Sequence, residues 1–537
     1  MSQRYLGGVI TANPTTPTLT TESGVWTLEQ QFQYASTWSP EIVGNSLRLR
    51  SSASAYFSRT PATASNRKTW TWSGWVKRGK LSSEQFIFSC YAGSSDANEF
   101  QIEFLSTDAL SVGAYTTQFR QTTRVFRDPS AWYHIVVAFD TTQATASDRV
   151  KVYVNGVQET SFTTSNNPTQ NSDWIINSAN EHRIGYFTSS VFFFDGYMAE
   201  VYFVDGQQLT PSSFGAFDTN GVWQPLGYTG TYGTNGFYID FSDNSAATAA
   251  ALGKDYSGNG NNWTPNNISL TTGTTYDWML DSPTNWTNGT TVGGNYAVLS
   301  PIDNSGTTLS EANLTYSMAS GNIVRGTFST SNNDKYYFEF TASAAATSTK
   351  PQCWGLASME GTLSNPTYSV YAYLNTLARG SDSVIYYTAN GTTTHTGDVA
   401  IRSVAIGDIM QIAYDASTGK TWFGINNQWF DGSGGLTGSP STGANPTQTV
   451  AANLQLAPWL PNSGSTYSGS MNCGQRPFTY TPPTGFKALC TQNLSTPNIT
   501  NGAQYMAATL YTGNASTQTI INSANTYSCL LYTSPSP

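Results

Sequence analysis

The stretch VKVYVNGVQETSF, Val150–Phe162, decides how the rest of the chain is read. Val150, Val152 and Val154 alternate with Lys151 and Tyr153, the period-two pattern of a strand with one face toward a core. Asn155-Gly156 follows, and a second run starts at Val157. Asn-Gly between such runs is the strongest short hairpin signal, because both central turn positions need positive φ. Outward from the hairpin the pattern repeats. SLRLRSS, SAYFSRT, KTWTWSGWVKR, EQFIFSCYA, EFQIEFLS, ALSVGAY, QFRQTTRVF and AWYHIVVAFD precede it, and HRIGYF and GYMAEVYFVD follow it. Short strands punctuated by turn residues predict a sandwich or jelly roll.

Composition narrows the function classes. The 537 residues contain 13% aromatics but only 11% charged residues, with a net charge of −9. An ordinary globular protein has about 25% charged residues; here Ser, Thr, Asn and Gly take their place. Such polar, uncharged surfaces suit neutral ligands such as sugars, and adhesive or fibrous proteins. Nucleic-acid binding needs a basic stripe, and the longest cationic run is Lys77-Arg78. No apolar run approaches the ~20 residues of a membrane helix, so membrane insertion is not expected. The opening MSQRYLGGVITANPTTPT lacks the apolar core of a secretory signal. Cys90, Cys353, Cys473, Cys490 and Cys529 include no CxxC. A bridge between Cys473 and Cys490 is compatible with their spacing; buried thiols are the favoured reading.

The chain divides on composition into a lead-in (1–45), a strand-rich block (46–217), a Gly/Asn/Thr-rich bridge (218–294), a second strand-rich block (295–494) and the truncated start of a further module (495–537). In the lead-in, Thr27-Leu28-Glu29-Gln30 has capping-box spacing and predicts a short helix through Tyr34, to dock on a neighbouring subunit or cap the first domain. The closing CLLYTSPSP breaks from the local style, as a sequencing artefact or a frayed tail would.

KTWTWSGWVKR, AWYHIVVAFD, VKVYVNGVQ, HRIGYF and FFDGYMAEVYFVDGQQLT stand in the order seen in laminin-G-like modules of the concanavalin-A-like class, which residues 46–217 resemble. IGDIMQIAYDASTGKTWFGINNQWF, with YYFEFTAS and QCWGLAS before it, resembles SPRY domains over 295–494. These resemblances imply an all-β chain of two successive antiparallel β-sandwiches, a jelly roll and then a SPRY-like one, joined by the bridge. The first family mostly binds glycans or proteins, often with calcium, and some relatives hydrolyse glycans. The second binds proteins through loops. With YLGG near the start and SGNGNNW between the modules, the whole arrangement resembles marine tailed-phage structural proteins. That implies a virion component, a tail fibre or appendage, assembled in the host cytoplasm and released by lysis.

The chemistry expected of the first family's glycosidases is Glu-x-Asp-x-x-Glu on a strand, and no glutamate here has Asp two positions on. Glu99 and Glu103 share a strand face, but Gln101 stands between them. Gly419-Lys420-Thr421 imitates the end of a P-loop, but Tyr414 replaces the required glycine. His134, His182 and His395 lack metal-ligand spacing, and His134 reads as a core histidine. No cofactor is therefore expected unless calcium binds LGKDYSGNGNNWT, where Asp255, Ser257, Asn259 and Asn261 alternate oxygen-bearing side chains; Asx turns use the same residues without an ion.

What remains is binding. Sugar recognition sets aromatic faces beside amides and carboxylates. The loop Ser165–His182 offers Asp173, Trp174, Asn177 and Asn180, and YAGSSDANEF offers Tyr91, Asp96 and Asn98. Trp174 reads equally as a residue inside the sandwich. The expected partners are a host-surface glycan and other virion proteins, with homo-oligomerisation multiplying weak sites. No heptad or collagen repeat specifies the oligomer. The alternatives are an assembly or decoration protein acting through the SPRY-like module and, less favoured, a polysaccharide depolymerase.

Overall fold

A computed structural model of the chain describes residues 41–188, 192–344, 352–359, 363, 371–376, 386–389, 392–395, 404–461, 466–497 and 499. The lead-in helix around Thr27–Tyr34, Cys529 and nearly all of 495–537 lie outside the described residues. The first block forms thirteen strands: β1 (Ser46–Leu49), β2 (Tyr56–Arg59), β3 (Thr69–Arg78), β4 (Gln85–Tyr91), β5 (Glu99–Phe104), β6 (Ala109–Gly113), β7 (Gln118–Val125), β8 (Trp132–Asp140), β9 (Val150–Val154), β10 (Val157–Gln158), β11 (Phe162–Ser165), β12 (His182–Ile184) and β13 (Gly196–Asp205). The deciding hairpin is β9–β10. Asn155 and Gly156 both take positive φ, 48° and 79°, as a type I′ turn requires. Asn155 also holds the adjoining strand: its side-chain oxygen accepts the His134 backbone N–H at 2.8 Å.

Two antiparallel sheets stack. One runs β10-β9-β8-β3-β13-β1 and the other β11-β7-β6-β5-β4-β12-β2. Their inward faces share one core: Val150, Val152 and Val154 meet Trp70, Trp72, Phe100, Phe119 and Phe139. Trp70 stacks on Phe139 with centroids 4.9 Å apart and planes at 10°. The first sheet is covered on its other face too, where Val136, Tyr153, Tyr202 and Phe214 form a second cluster. That second cover explains why β3, β8 and β13 are buried at nearly every position.

The structure draws the first sandwich wider than composition does. Residues 228–279, which composition assigns to the bridge, belong to it. Phe237–Ile239 (β16) pairs with β13, Thr264–Asn266 (β17) with β2, and Trp278–Met279 (β18) with β1. Phe237, Ile239, Phe241, Leu252 and Trp263 complete the core. The strands are two or three residues long, too short to show alternation, so their turn-rich surroundings dominated the reading. Gly215–Phe217 (β14) and Trp223–Pro225 (β15) form a small hairpin belonging to a different compact unit from 42–214 and 228–494. Within it Phe217 meets Trp223 edge-on at 4.9 Å.

The second block is also a sandwich. One sheet orders Leu299–Ser305, Ile323–Gly326, Leu456–Pro461, Gln352–Ser358, Tyr371–Thr376, Tyr386–Ala389 and Thr392–His395. The other orders Thr308–Ser310, Thr315–Met318, Tyr467–Asn472, Lys335–Ala342, Ile409–Asp415, Lys420–Ile425 and Gln428–Trp429. Phe338, Phe340, Trp354, Ile412, Phe423 and Met471 fill its core. Gly419-Lys420-Thr421 lies at a hairpin, with Gly419 at φ 73° and the Lys420 ammonium on the Gly443 carbonyl at 2.8 Å. Cys473 and Cys490 are free and buried, as are Cys90 and Cys353, so the thiol reading holds and the bridge does not.

The two sandwiches meet across a buried polar seam inside one compact unit. The Lys77 ammonium donates to Asp281 at 2.7 Å, to the Asn295 side chain at 2.7 Å and to the Tyr296 carbonyl at 3.0 Å. Trp132 Nε1 donates to the other Asp281 oxygen at 3.0 Å. Arg48 and Arg50 both clasp Asp277, and Arg50 reaches Glu311 at 3.2 Å. Asp195, of the Asp-Gly pair before β13, accepts Ser51 from the first sandwich and the Ala312 N–H from the second. Asn313 returns a bond to the Gly79 carbonyl at 2.8 Å. Burying charges is tolerated only with such partners, so the seam fixes one relative placement of the two sandwiches.

Candidate functional site

β12 brings the two expected sugar loops to one rim. His182 pairs with Cys90, so the end of the Ser165–His182 loop and the start of the Tyr91–Asn98 loop leave the same edge of the second sheet. The side chains differ in what they can offer. Asp173 is exposed. Trp174 is half-buried, packs edge-on against Phe119 at 4.8 Å and donates its indole N–H to Ser172 at 3.1 Å. Its ring walls the core rather than presenting a face. Asn177 is 2% exposed. Its amide bonds the Asn66 carbonyl at 2.7 Å and Asp205 at 3.0 Å, which corrects its reading from ligand contact to loop brace. Asn180, half-buried, bonds Ser178 at 2.9 Å. On the other loop Tyr91 is half-buried beside Phe187, with its hydroxyl 3.1 Å from that of Ser94. Asn98 is exposed. Asp96 accepts Thr116 N–H at 2.6 Å and the Thr117 hydroxyl at 2.7 Å. Against the rise from burial, these bonds hold its carboxyl below the usual range. Asp173, Asn98 and the rim of Tyr91 are the groups left facing outward.

The calcium reading of Asp255, Ser257, Asn259 and Asn261 meets a physical obstacle. Asp255 is buried, and both its oxygens already face donors. One accepts the backbone N–H groups of Tyr238 and Ser257, at 2.9 and 2.8 Å. The other accepts the Ser257 hydroxyl and the Asn261 N–H, both at 2.8 Å. The Asn259 and Asn261 amides turn their nitrogens to the Gly236 carbonyl, at 2.9 and 2.8 Å, and Arg59 donates to the Asn261 oxygen. A cation wants lone pairs, and these converge on N–H groups. The loop is therefore built as a self-braced turn.

The carboxylates also decide what chemistry is open. Glu99 and Glu103 are buried on one strand face. They are four residues apart on β5, and Gln101 stands between them where the glycosidase motif has Asp. Burial, and then the nearby Asp96, push Glu99 up to about 7. Burial and the adjoining Glu84 carboxylate push Glu103 well above the carboxylate range. His134 is fully buried with its Nε2 2.8 Å from the Ser73 hydroxyl, and burial lowers it to about 3. Burial likewise lowers His182 to about 4. Both are neutral structural groups. Among the described residues no three His, Cys, Asp or Glu side chains group as metal ligands, and no helix is long and apolar enough to cross a membrane.

The residues that the sequence reading passed over are those of the seam. Asp277 and Asp281 lie in YDWMLDSP, and Asp195 in FFDGY; only Asp277, between Tyr276 and Trp278, carries a local sign of burial, a lone carboxylate between bulky aromatic residues.

No curated protein matches the chain. A putative carbohydrate-binding protein from Bacteroides ovatus is similar at 17% identity, covering 42% of this chain and 59% of that one, with a TM-score of 0.27. A heptameric SAP-like pentraxin from Limulus polyphemus is similar at 15% identity, covering 32% of this chain and 80% of that one, with a TM-score of 0.25. The SPRY domain of human HERC1 is similar at 13% identity, covering 33% of this chain and 99% of that one, with a TM-score of 0.21. Residues 51–213 match the family model described as the concanavalin A-like lectin/glucanases superfamily, so the first sandwich is a lectin-like jelly roll by both its sequence and its strand order.

Proposed function

We propose that the chain is a non-enzymatic surface protein of a tailed-phage particle, a tail fibre or appendage, that binds host-surface glycans through the lectin-like sandwich. The observation carrying the binding half is the family match over 51–213, together with the missing glycosidase aspartate between Glu99 and Glu103, where Gln101 stands. A rigid, weakly charged scaffold presenting loops is suited to reading uncharged hydroxyl patterns. The particle assignment rests on the module order and on the resemblance of the whole sequence. Repetition on an oligomer turns weak single sites into avid attachment. No resident cofactor is required for this reading. Surface plasmon resonance on purified host polysaccharide, run beside a reducing-end assay on the same material, tests it. Saturable binding without chain cleavage is the expected result; release of reducing ends, or no binding to any host polysaccharide, overturns it. Detection of the chain in purified particles by mass spectrometry tests the virion location.

A further inference from the structure

Beside the seam, away from both sugar loops, lies a cavity of about 850 Å3, within the ~300–1,000 Å3 range of small-ligand sites. Trp278, Trp286, Phe478 and Phe486 line it, with Arg476 and Lys487. The first three rings are half-buried and keep surface toward solvent. Trp278 is fixed by its indole N–H on the Phe241 carbonyl at 2.9 Å. Trp286 lies across Gly293 of the facing strand Thr291–Gly293, where any Cβ would collide with the indole.

Arg476 is the unusual member. It is 3% exposed, and the acceptors it reaches are all neutral: the Ser470 hydroxyl at 2.7 Å, the Met471 carbonyl at 3.1 Å and the Thr274 carbonyl at 3.5 Å. Among the described residues no carboxylate forms an ion pair with it. Glu339 acts on it only at longer range, and Arg48 opposes it. Burial and then that neighbouring cation pull the guanidinium down to about 9. A buried cation without a counter-ion is costly, and a planar guanidinium matches a carboxylate bidentately. Lys487 adds a second cation, exposed and paired with Asp334 at 2.9 Å.

We propose that this cavity binds a carboxylate-bearing pyranose, a hexuronic acid unit of an acidic polysaccharide, with the tryptophan and phenylalanine rings against the sugar's apolar face and Arg476 paired with its carboxylate. This rests on the glycan-binding reading and names a site and a sugar class for it. The test is calorimetric titration of the full chain with trisaccharides of galacturonate, glucuronate and mannuronate, each beside its methyl ester. At least one acid form binds, its ester binds about tenfold more weakly or worse, and Trp286→Ala lowers the affinity by about tenfold, as loss of ~1.4 kcal/mol of stacking would. Gly293→Ala, which displaces the same indole, reproduces that loss. Thermal unfolding checks that each variant is folded; Arg476→Gln is read only if it is, and then it abolishes the preference for acid over ester. Equal binding of acid and ester overturns the role of Arg476. Binding untouched by both Trp286→Ala and Gly293→Ala overturns the site. Failure of all three acid sugars, in a chain that binds other glycans, overturns the inference and leaves the lectin reading standing.

Discussion

Replacing Lys77 by Met tests whether the seam makes the two sandwiches one body. The Lys77 side chain is 0% exposed, as is that of Asp281. Burial alone lowers the ammonium and raises the carboxyl, and their mutual attraction opposes both shifts. Methionine keeps the aliphatic stem but removes donors to Asp281, Asn295 and the Tyr296 carbonyl. Asp281 then keeps only the Trp132 N–H and backbone contact while remaining buried. Breaking a buried pair on one side costs ~3–5 kcal/mol, a shift of roughly a hundred- to several-thousand-fold in the folding equilibrium. Adding Asp281→Asn removes the stranded charge, so the double variant recovers part of that loss. Urea unfolding followed by tryptophan fluorescence and far-UV circular dichroism reads both quantities. The wild type is expected to unfold in one transition, and Lys77→Met at lower urea with the two sandwiches separating. A loss under ~0.5 kcal/mol, or a double variant whose cost is the plain sum of the singles, would refute the reasoning.

Glu103→Gln tests the buried acid. Because folding raises this carboxyl, the folded state holds a proton that the unfolded chain releases. Stability is fullest below the ordinary glutamate range and falls as pH rises through the folded value. The glutamine variant is therefore expected to melt higher than wild type at pH 9 with the gap closing at pH 4; a constant gap contradicts it. His134 and His182 give the opposite limb. Both are depressed from 6.5, to about 3 and about 4, so their contribution is present above pH 6.5 and lost as pH falls toward 3. An acid titration of unfolding free energy that stays flat from pH 6.5 to 4 would contradict this. Asp255→Ala leaves the Tyr238, Ser257 and Asn261 N–H groups without their acceptor and is expected to cost ~2–4 kcal/mol, while chelator leaves the wild-type melting temperature unchanged. A calcium-dependent rise abolished by the variant would restore the ion. Trp174→Ala is expected to destabilise by ~1–3 kcal/mol through lost packing, whereas exposed Asp173→Ala leaves the melting temperature unchanged. Equal melting of the two would show that the indole does not wall the core.

The strands of the first sandwich were legible where alternation ran five residues, as in β9, where a long aromatic or apolar run stood between turn residues, as in β3 and β8, and where Asn155-Gly156 imposed its turn. The short strands at Phe237, Thr264 and Trp278 were not, because two or three residues carry no period. The expected sugar loop failed at Asn177 for a related reason: a loop that braces itself and a loop that binds hydroxyls use the same amides. Lys77-Arg78, the longest cationic run, is 0% and 1% exposed. Its partners lie far along the chain, Asp281 being 204 residues away from Lys77, and no local pattern announces a contact of that range. Arg476 stayed invisible on the same grounds.

A glycan array probed with the labelled full-length chain tests the central claim most directly. Concentration-dependent binding to a defined subset of host-type saccharides, with every bound glycan recovered intact, is the result expected of a lectin-like particle protein. An array blank at every concentration, or bound glycans recovered as cleaved products, would contradict it.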